Sequence, residues 1–267
     1  MSRSTVPAPP VVVINADDLG MSAEVNQAIV ASFERGLVTT STIMANMPGF
    51  ADACAAIRIH SLEDRIGVHL NLTEGSPLTE PIRYCPRLCS AEGRLRLLSW
   101  PLWRLSGEEA AAVETELRAQ VDAVLASGIR PSHFDSHHHV HTQWLIATIV
   151  MRIARRYGVE AVRLTRNCGL GPGPAKQVYK RVLNARFARA GLAATRHFGS
   201  AMDVTSLAQF SGPVEIMVHP FLGDEGRLID LTNGSRPLDD VLSRWRNADR
   251  LVTYRELETQ RRASPEP

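Results

Sequence analysis

The chain has 267 residues, 44% of them hydrophobic and 22% charged, with a formal net charge of +2. This ordinary globular composition excludes a disordered chain, and the near-balanced charge leaves no electrostatic footprint for nucleic acid. No run reaches the ~20 apolar residues that a membrane-spanning helix needs. The length suits one large domain or two small ones, and α/β barrels reach this size undivided.

The first ten residues, MSRSTVPAPP, read as a polar, proline-rich tail. The apolar run after them, Val11 to Ile14, is too brief for a signal-peptide core and leads directly into Asn15, Asp17 and Asp18. Cys54, Cys85, Cys89 and Cys168 contain no CxxC pair and no disulfide framework, so a reducing cytoplasm is the expected compartment.

Strand-length apolar runs recur, each followed by helical spacing. Val11–Ala16 is the first strand; Ser22 caps a helix to about Arg35, and Gly36 stops it. Strand Leu37–Ala45, helix Phe50–His60 and strand Ile66–Leu72 come next, followed by a long Pro- and Arg-rich connection, Thr73–Ser106, with two tryptophans. A helix over Glu108–Ser127 ends at Gly128. Strand Ser132–Ser136, helix Gln143–Tyr157 and strand Glu160–Thr165 precede the Gly/Pro cluster CGLGPGP. A basic helix, Ala175–Arg189, and strands Ala194–Phe198, Val214–Val218 and Leu251–Thr253 complete the pattern. Alternation of this kind predicts a parallel sheet covered by helices, either a barrel or a doubly wound sheet. Polar clusters fall at the C-terminal ends of several strands: Asp17-Asp18, His69, Asp135 to His141, and His219. A barrel collects such ends on one face. The expected architecture is therefore a distorted TIM-like (β/α) barrel of parallel strands, one domain over residues 11–257, with tails at 1–10 and 258–267.

Asp17 and Asp18 end an apolar strand, where neighbouring side chains point opposite ways, so the pair can take two roles. The alternative is a polar strand end that caps the next helix. Five of the nine histidines fall in HFDSHHHVH. His137, His139 and His141 point one way on an extended backbone, whereas His137 and His141 share a face on a helix. Imidazole is the commonest metal ligand in proteins, and the alternatives are an exposed His-rich loop or a metal-free hydrogen-bonded cluster. His69 in GVHLNLTEG and His219 in IMVHP each sit at a strand end, where a lone histidine can equally be a satisfied core residue. His60, His133 and His197 lack polar company and are read as structural. Asp18, His69 and one histidine of the cluster form an Asp-His-His set with an open position, as in a catalytic metal site. Asp17 is then free to accept a proton from water, and His219 to protonate a leaving group. Such a site suits hydrolysis of an amide or ester.

INADDLG, GVHLNLTEGSPL, PSHFDSHHHVH and the late VHP together resemble the YdjC/ChbG family of carbohydrate deacetylases, similar in site chemistry to NodB-type polysaccharide deacetylases. The resemblance runs from about Val11 to Leu257. It implies a distorted TIM-like barrel that removes acetyl from N-acetylated amino sugars, with Asp17 as base and His219 placed to act as acid. It also implies Asp18, His69 and His137 as ligands of one divalent metal ion, and a homodimer. Family members are described with magnesium; imidazole-rich ligation better suits zinc or another transition metal. Two departures stand out. Leu19 replaces the aromatic of the commoner DDFG, and Pro77–Ser106 has no counterpart, although its Trp100 and Trp103 offer rings for a sugar or for the core. The basic helix AKQVYKRVLNARFARAGL reads as a solvated outer helix or as a peripheral contact with an anionic membrane. Rival functions are hydrolysis of a phosphoester or lactam, or non-catalytic sugar binding.

Overall fold

In the computed structural model the described residues are 10–97, 104–169, 173–204, 206–207, 210–243, 245 and 250–263. Trp100 and Trp103 lie outside them. All eight positions of strand β1 (Val12–Leu19) are buried, because parallel strands covered on both faces leave none to solvent. Around it lie β2 (Thr40–Ile43), β3 (Ile66–Leu70), β4 (Phe134–Ser136), β5 (His197–Ser200) and β6 (Val214–Val218). The six strands are parallel, in the order β4-β3-β2-β1-β6-β5.

Residues 161–168 bridge the two edges of this sheet. Phe134 N–H donates to Ala161 O and Arg163 N–H to Phe134 O, while the N–H groups of Asn167 and Cys168 both donate to Phe198 O in β5. The sheet thus curls into a distorted barrel, as the strand-end clusters predict. The expected strand Glu160–Thr165 is reduced to a single bridge, Val162 to Phe134. Its chain changes partner from β4 to β5 within a few residues, too quickly for a ladder. Leu251–Thr253 is likewise one bridge, to Val12.

The helices α1 (Ala23–Glu34), α2 (Phe50–Ile59), α3 (Gly107–Ala126), α4 (Trp144–Tyr157) and α5 (Pro174–Arg189) follow the sequence reading to within one or two residues. Ser22 Oγ accepts the Val25 N–H at 3.3 Å, and Gly36 takes the left-handed φ of +65° that ends α1. Ser106 and Glu109 form a reciprocal capping box at the start of α3. None of the described helices is long and apolar enough to cross a membrane.

Sequence periodicity missed a small antiparallel sheet after β6: β7 (Pro220–Leu222), β8 (Leu228–Asp230) and β9 (Arg236–Pro237). Strands of two or three residues are too short to show alternation. Then come α6 (Leu238–Leu242) and α7 (Tyr254–Ala263). α7 continues through Ala263, into the range 258–267 expected as a flexible tail. Leu257 is buried and the Arg261 guanidinium donates to Gly191 O, so this segment packs on the barrel. The apolar faces of the sheet and outer helices form one large core cluster. His133 belongs to the interior as expected, with its ring stacked on Tyr254 at 3.8 Å. Gly67 makes room for it: a Cβ there would fall 2.6 Å from the imidazole.

Candidate active site

β1, β3, β4 and β6 deliver their polar ends to one face of the barrel. β1 does so through an irregularity, because its register with β2 shifts between Ala16 and Leu19 and Asp18 has φ +73°. A left-handed, non-glycine residue stores backbone strain, commonly at functional sites. Here it separates the adjacent carboxylates onto different partners.

Asp18 Oδ1 lies 3.1 Å from His69 Nε2 and 2.9 Å from His137 Nδ1. The far nitrogen of each ring meets another carboxylate. His69 Nδ1 is 2.7 Å from Asp135 Oδ1, its register partner on β4, and His137 Nε2 is 3.0 Å from Glu74 Oε2. Carboxylates that orient ligating imidazoles in this way are typical of metal centres. The Asp18, His69 and His137 donor atoms are close enough to share one ion.

Asp17 faces the other way and is gripped by Arg163: Nη1 donates to Oδ2 at 2.6 Å and Nη2 to Oδ1 at 2.7 Å. The Asn15 amide adds a bond to Oδ1 at 2.8 Å. Arg163 is wholly buried and also reaches Asp135 at 2.8 Å and Glu215 at 2.7 Å. Glu215 in turn accepts from the Tyr254 hydroxyl at 2.6 Å. Burial works against ionisation of Asp17, yet Arg163 outweighs it and holds the carboxyl below its ordinary value. Asp18 also stays well below the usual range, burial being overcome by hydrogen bonds from His137 and His69. Three buried carboxylates (Asp17, Asp135 and Glu215) thus share the Arg163 guanidinium, and Asp18 is a fourth buried carboxylate beside them. His69 registers the excess of negative charge. Burial pushes its pKa down, but Asp135, Asp18 and Asp17 bring it up to about 10. A centre with this charge balance and donor set fits a divalent cation.

His219 Nε2 stands 3.9 Å from both Asp17 Oδ2 and Asp18 Oδ2. Its backbone N–H donates to Asp230 Oδ1 at 3.1 Å, so the small antiparallel sheet fixes the turn that presents it. Its Nδ1 is buried and has no partner among the described residues.

The histidine cluster matches neither the extended nor the helical reading. His138 and His139 have φ of +50° and +54°, and two left-handed residues in succession break both periodicities. Each ring therefore goes its own way. His137 enters the centre; His138 bonds Thr73 Oγ1 at 2.9 Å; His139 packs edge-on against Phe198. His141 bridges Ser136 Oγ and the Arg163 carbonyl at 2.5 and 3.1 Å, bracing the chain that carries Arg163. Burial drives the His139 pKa down to about 3 and keeps the ring neutral.

All five sequence-predicted site residues, Asp17, Asp18, His69, His137 and His219, come together at this centre. The sequence reading missed Arg163, Glu215 and Glu74, and placed Asp135 in a strand-end cluster without giving it a role. The available signal was a charge inside an apolar run, as in VRL around Arg163 and VEIMV around Glu215. Such a residue is almost never fully buried unless paired.

Fold and centre define the class: an α/β barrel whose strand ends hold an Asp-His-His donor set beside an arginine-tethered carboxylate. The profile of the YdjC-like proteins matches residues 11–261, and the chain belongs to that family. It is 34% identical over 214 residues to a carbohydrate deacetylase of Halalkalibacterium halodurans, spanning 80% of this chain and 86% of the relative. It is also 35% identical over 216 residues to a carbohydrate deacetylase of Vibrio parahaemolyticus, spanning 80% and 79%. A solved structure from Enterococcus faecalis, provisionally named a cellobiose-phosphate cleavage protein, superposes with a TM-score of 0.69 at 24% identity. It covers 94% of this chain and 99% of the other, and shows the shared fold.

Proposed function

We propose that this protein is a carbohydrate deacetylase that hydrolyses the acetamide of an N-acetylated amino sugar with the help of one divalent cation. The observation that carries the reading is the meeting of Asp18, His69 and His137 beside Asp17, with His219 at 3.9 Å from both aspartates. The relatives named as carbohydrate deacetylases support it.

Asp18, His69 and His137 are the residues to hold the cation, which when bound acidifies a water and polarises the acetyl carbonyl. Two imidazoles and one carboxylate favour zinc or another transition metal over magnesium. Asp17 accepts the proton of the attacking water. Its bidentate contact with Arg163 keeps it ionised and oriented, but also makes it a weak base. It therefore works on a water whose own pKa is lowered. His219, across the centre, donates a proton to the departing amine. Arg163, clamped by Asp135 and Glu215, keeps the base from rotating.

Acetate release from N-acetylglucosamine oligomers tests the proposal, with metal-stripped, metal-restored and Asp17→Asn protein side by side. We expect release that needs the cation and falls about 10²-fold or more in Asp17→Asn. Full release by the stripped protein would overturn the metal role, and full activity of Asp17→Asn would overturn the base assignment.

A further inference from the structure

Glu215 lies in β6, opposite Val13 of β1 and so deeper in the barrel than Asp17. Its two oxygens are taken by different donors: Oε1 accepts Arg163 Nε at 2.7 Å, and Oε2 accepts the Tyr254 hydroxyl at 2.6 Å. Asp17, Arg163, Glu215 and Tyr254 therefore form an unbroken line of hydrogen bonds through the barrel interior. None of the four is more than 1% exposed. Branched apolar side chains normally fill that space. Replacing a buried ionic group by well-packed apolar residues is often neutral or stabilising, so fold stability does not explain the line.

The local structure locks Tyr254 in place. Val252 N–H donates to Val12 O at 2.9 Å and Val12 N–H to Arg250 O at 3.0 Å, which ties the chain before α7 to the start of β1. Thr253 and Glu256 close a reciprocal capping box: Thr253 N–H donates to Glu256 Oε2 at 2.6 Å and Glu256 N–H to Thr253 Oγ1 at 3.2 Å. The ring shares an apolar cluster with Val13, Ala161 and Val252, and stacks on His133 at 3.8 Å. A phenyl ring would pack there equally well; only the hydroxyl reaches Glu215. Burial and the Glu215 carboxylate hold the phenol pKa well above its ordinary value, so the hydroxyl keeps its proton and donates. With Oε2 released, the Glu215 carboxylate can swing and loosen its hold on Arg163 Nε. That contact sets the plane of the guanidinium, on which the two-pronged grip of Asp17 depends.

We infer that Tyr254 is a positioning residue for the catalytic base: its hydroxyl fixes Glu215, Glu215 sets the Arg163 guanidinium, and Arg163 orients Asp17. The inference rests on the deacetylase reading for the role of Asp17. A double-mutant cycle tests it, comparing metal-restored Tyr254→Phe, Glu215→Gln and combined variants in acetate release from N-acetylglucosamine oligomers. We expect Tyr254→Phe to lower kcat about tenfold with KM unchanged, and the combined variant to lose no more than Glu215→Gln alone. Losses that multiply, a change confined to KM, or native kcat in Tyr254→Phe would each overturn the inference. A second measurement needs no substrate: exchange of the Arg163 Nε proton with solvent, followed by nitrogen-15 NMR of the metal-stripped full chain. We expect exchange about tenfold faster or more in Tyr254→Phe than in the native protein. Equal exchange rates would overturn the inference even if no sugar loses acetate. Faster exchange without acetate release by the native protein would support the link from Tyr254 to Arg163 and count against the deacetylase reading.

Discussion

Replacing Arg163 with methionine removes the one guanidinium that Asp17, Asp135 and Glu215 share while preserving much of the side-chain volume. All three carboxylates and Arg163 are at most 1% exposed, so none can recover its lost partner from bulk water. Breaking a buried ion pair by removing one partner typically costs about 3–5 kcal/mol. Three partners are orphaned here, which makes that range a lower bound and a large share of the ~5–15 kcal/mol that holds a domain folded. The loss has a pH signature. In the native protein Arg163 holds Asp17 below its ordinary pKa, so that contribution is complete above the unfolded value and fades only as pH falls through the folded one. In Arg163→Met, burial without the guanidinium raises the carboxyl pKa values above their unfolded values. The folded variant then holds more protons than the unfolded chain, and its stability falls as pH rises from about 4 toward 7. The gap between the two proteins therefore widens with pH. Urea denaturation followed by circular dichroism at pH 5, 6, 7 and 8 measures it. A difference below about 1 kcal/mol at pH 7, or one that does not change with pH, would refute the reasoning. Adding Glu215→Gln to Arg163→Met should restore part of the loss, because it removes one orphaned charge.

Gly67→Ala places a methyl 2.6 Å from the His133 ring, which is itself trapped against Tyr254. Thermal denaturation should show a loss of about 1–3 kcal/mol, and an unchanged melting temperature would mean that the ring has room to move. Asp135→Asn weakens the carboxylate that orients His69. Titration with zinc should show affinity reduced about 10- to 100-fold, whereas native affinity would show that Asp135 does not position the ligand. Glu258 has its pKa raised to about 7, chiefly by burial and further by Glu160, against opposition from Arg255. Its folded form keeps a proton that the unfolded chain loses, so its contribution to stability declines as pH rises from about 4.5 through 7. Since the group is partly solvated, the effect is about 1 kcal/mol. Denaturation midpoints of Glu258→Gln between pH 5 and 8 should be flatter than those of the native protein, and parallel curves would refute the assignment.

Local pattern alone determined much of this protein. The apolar run ending in Asp17-Asp18, the caps at Ser22 and Ser106, the stops at Gly36 and Gly128 and the periodicity of α1 to α5 are all set by neighbours a few residues away. For that reason the barrel and four residues of the candidate centre, Asp17, Asp18, His69 and His219, are legible in the residue pattern, whereas His137 is implied only by the family resemblance. Tertiary structure decided which histidine of HFDSHHHVH enters the centre, because the left-handed turn at His138 and His139 has no signature in residue spacing. It also replaced the expected strand at 160–165 by a bridge between β4 and β5, and brought Arg163 to Asp17, 146 residues earlier in the chain. A charge within an apolar run announces only that it needs a partner. Which partner it finds depends on how the sheet curls, since burial makes pairing obligatory and closure of the barrel sets which carboxylates lie within reach.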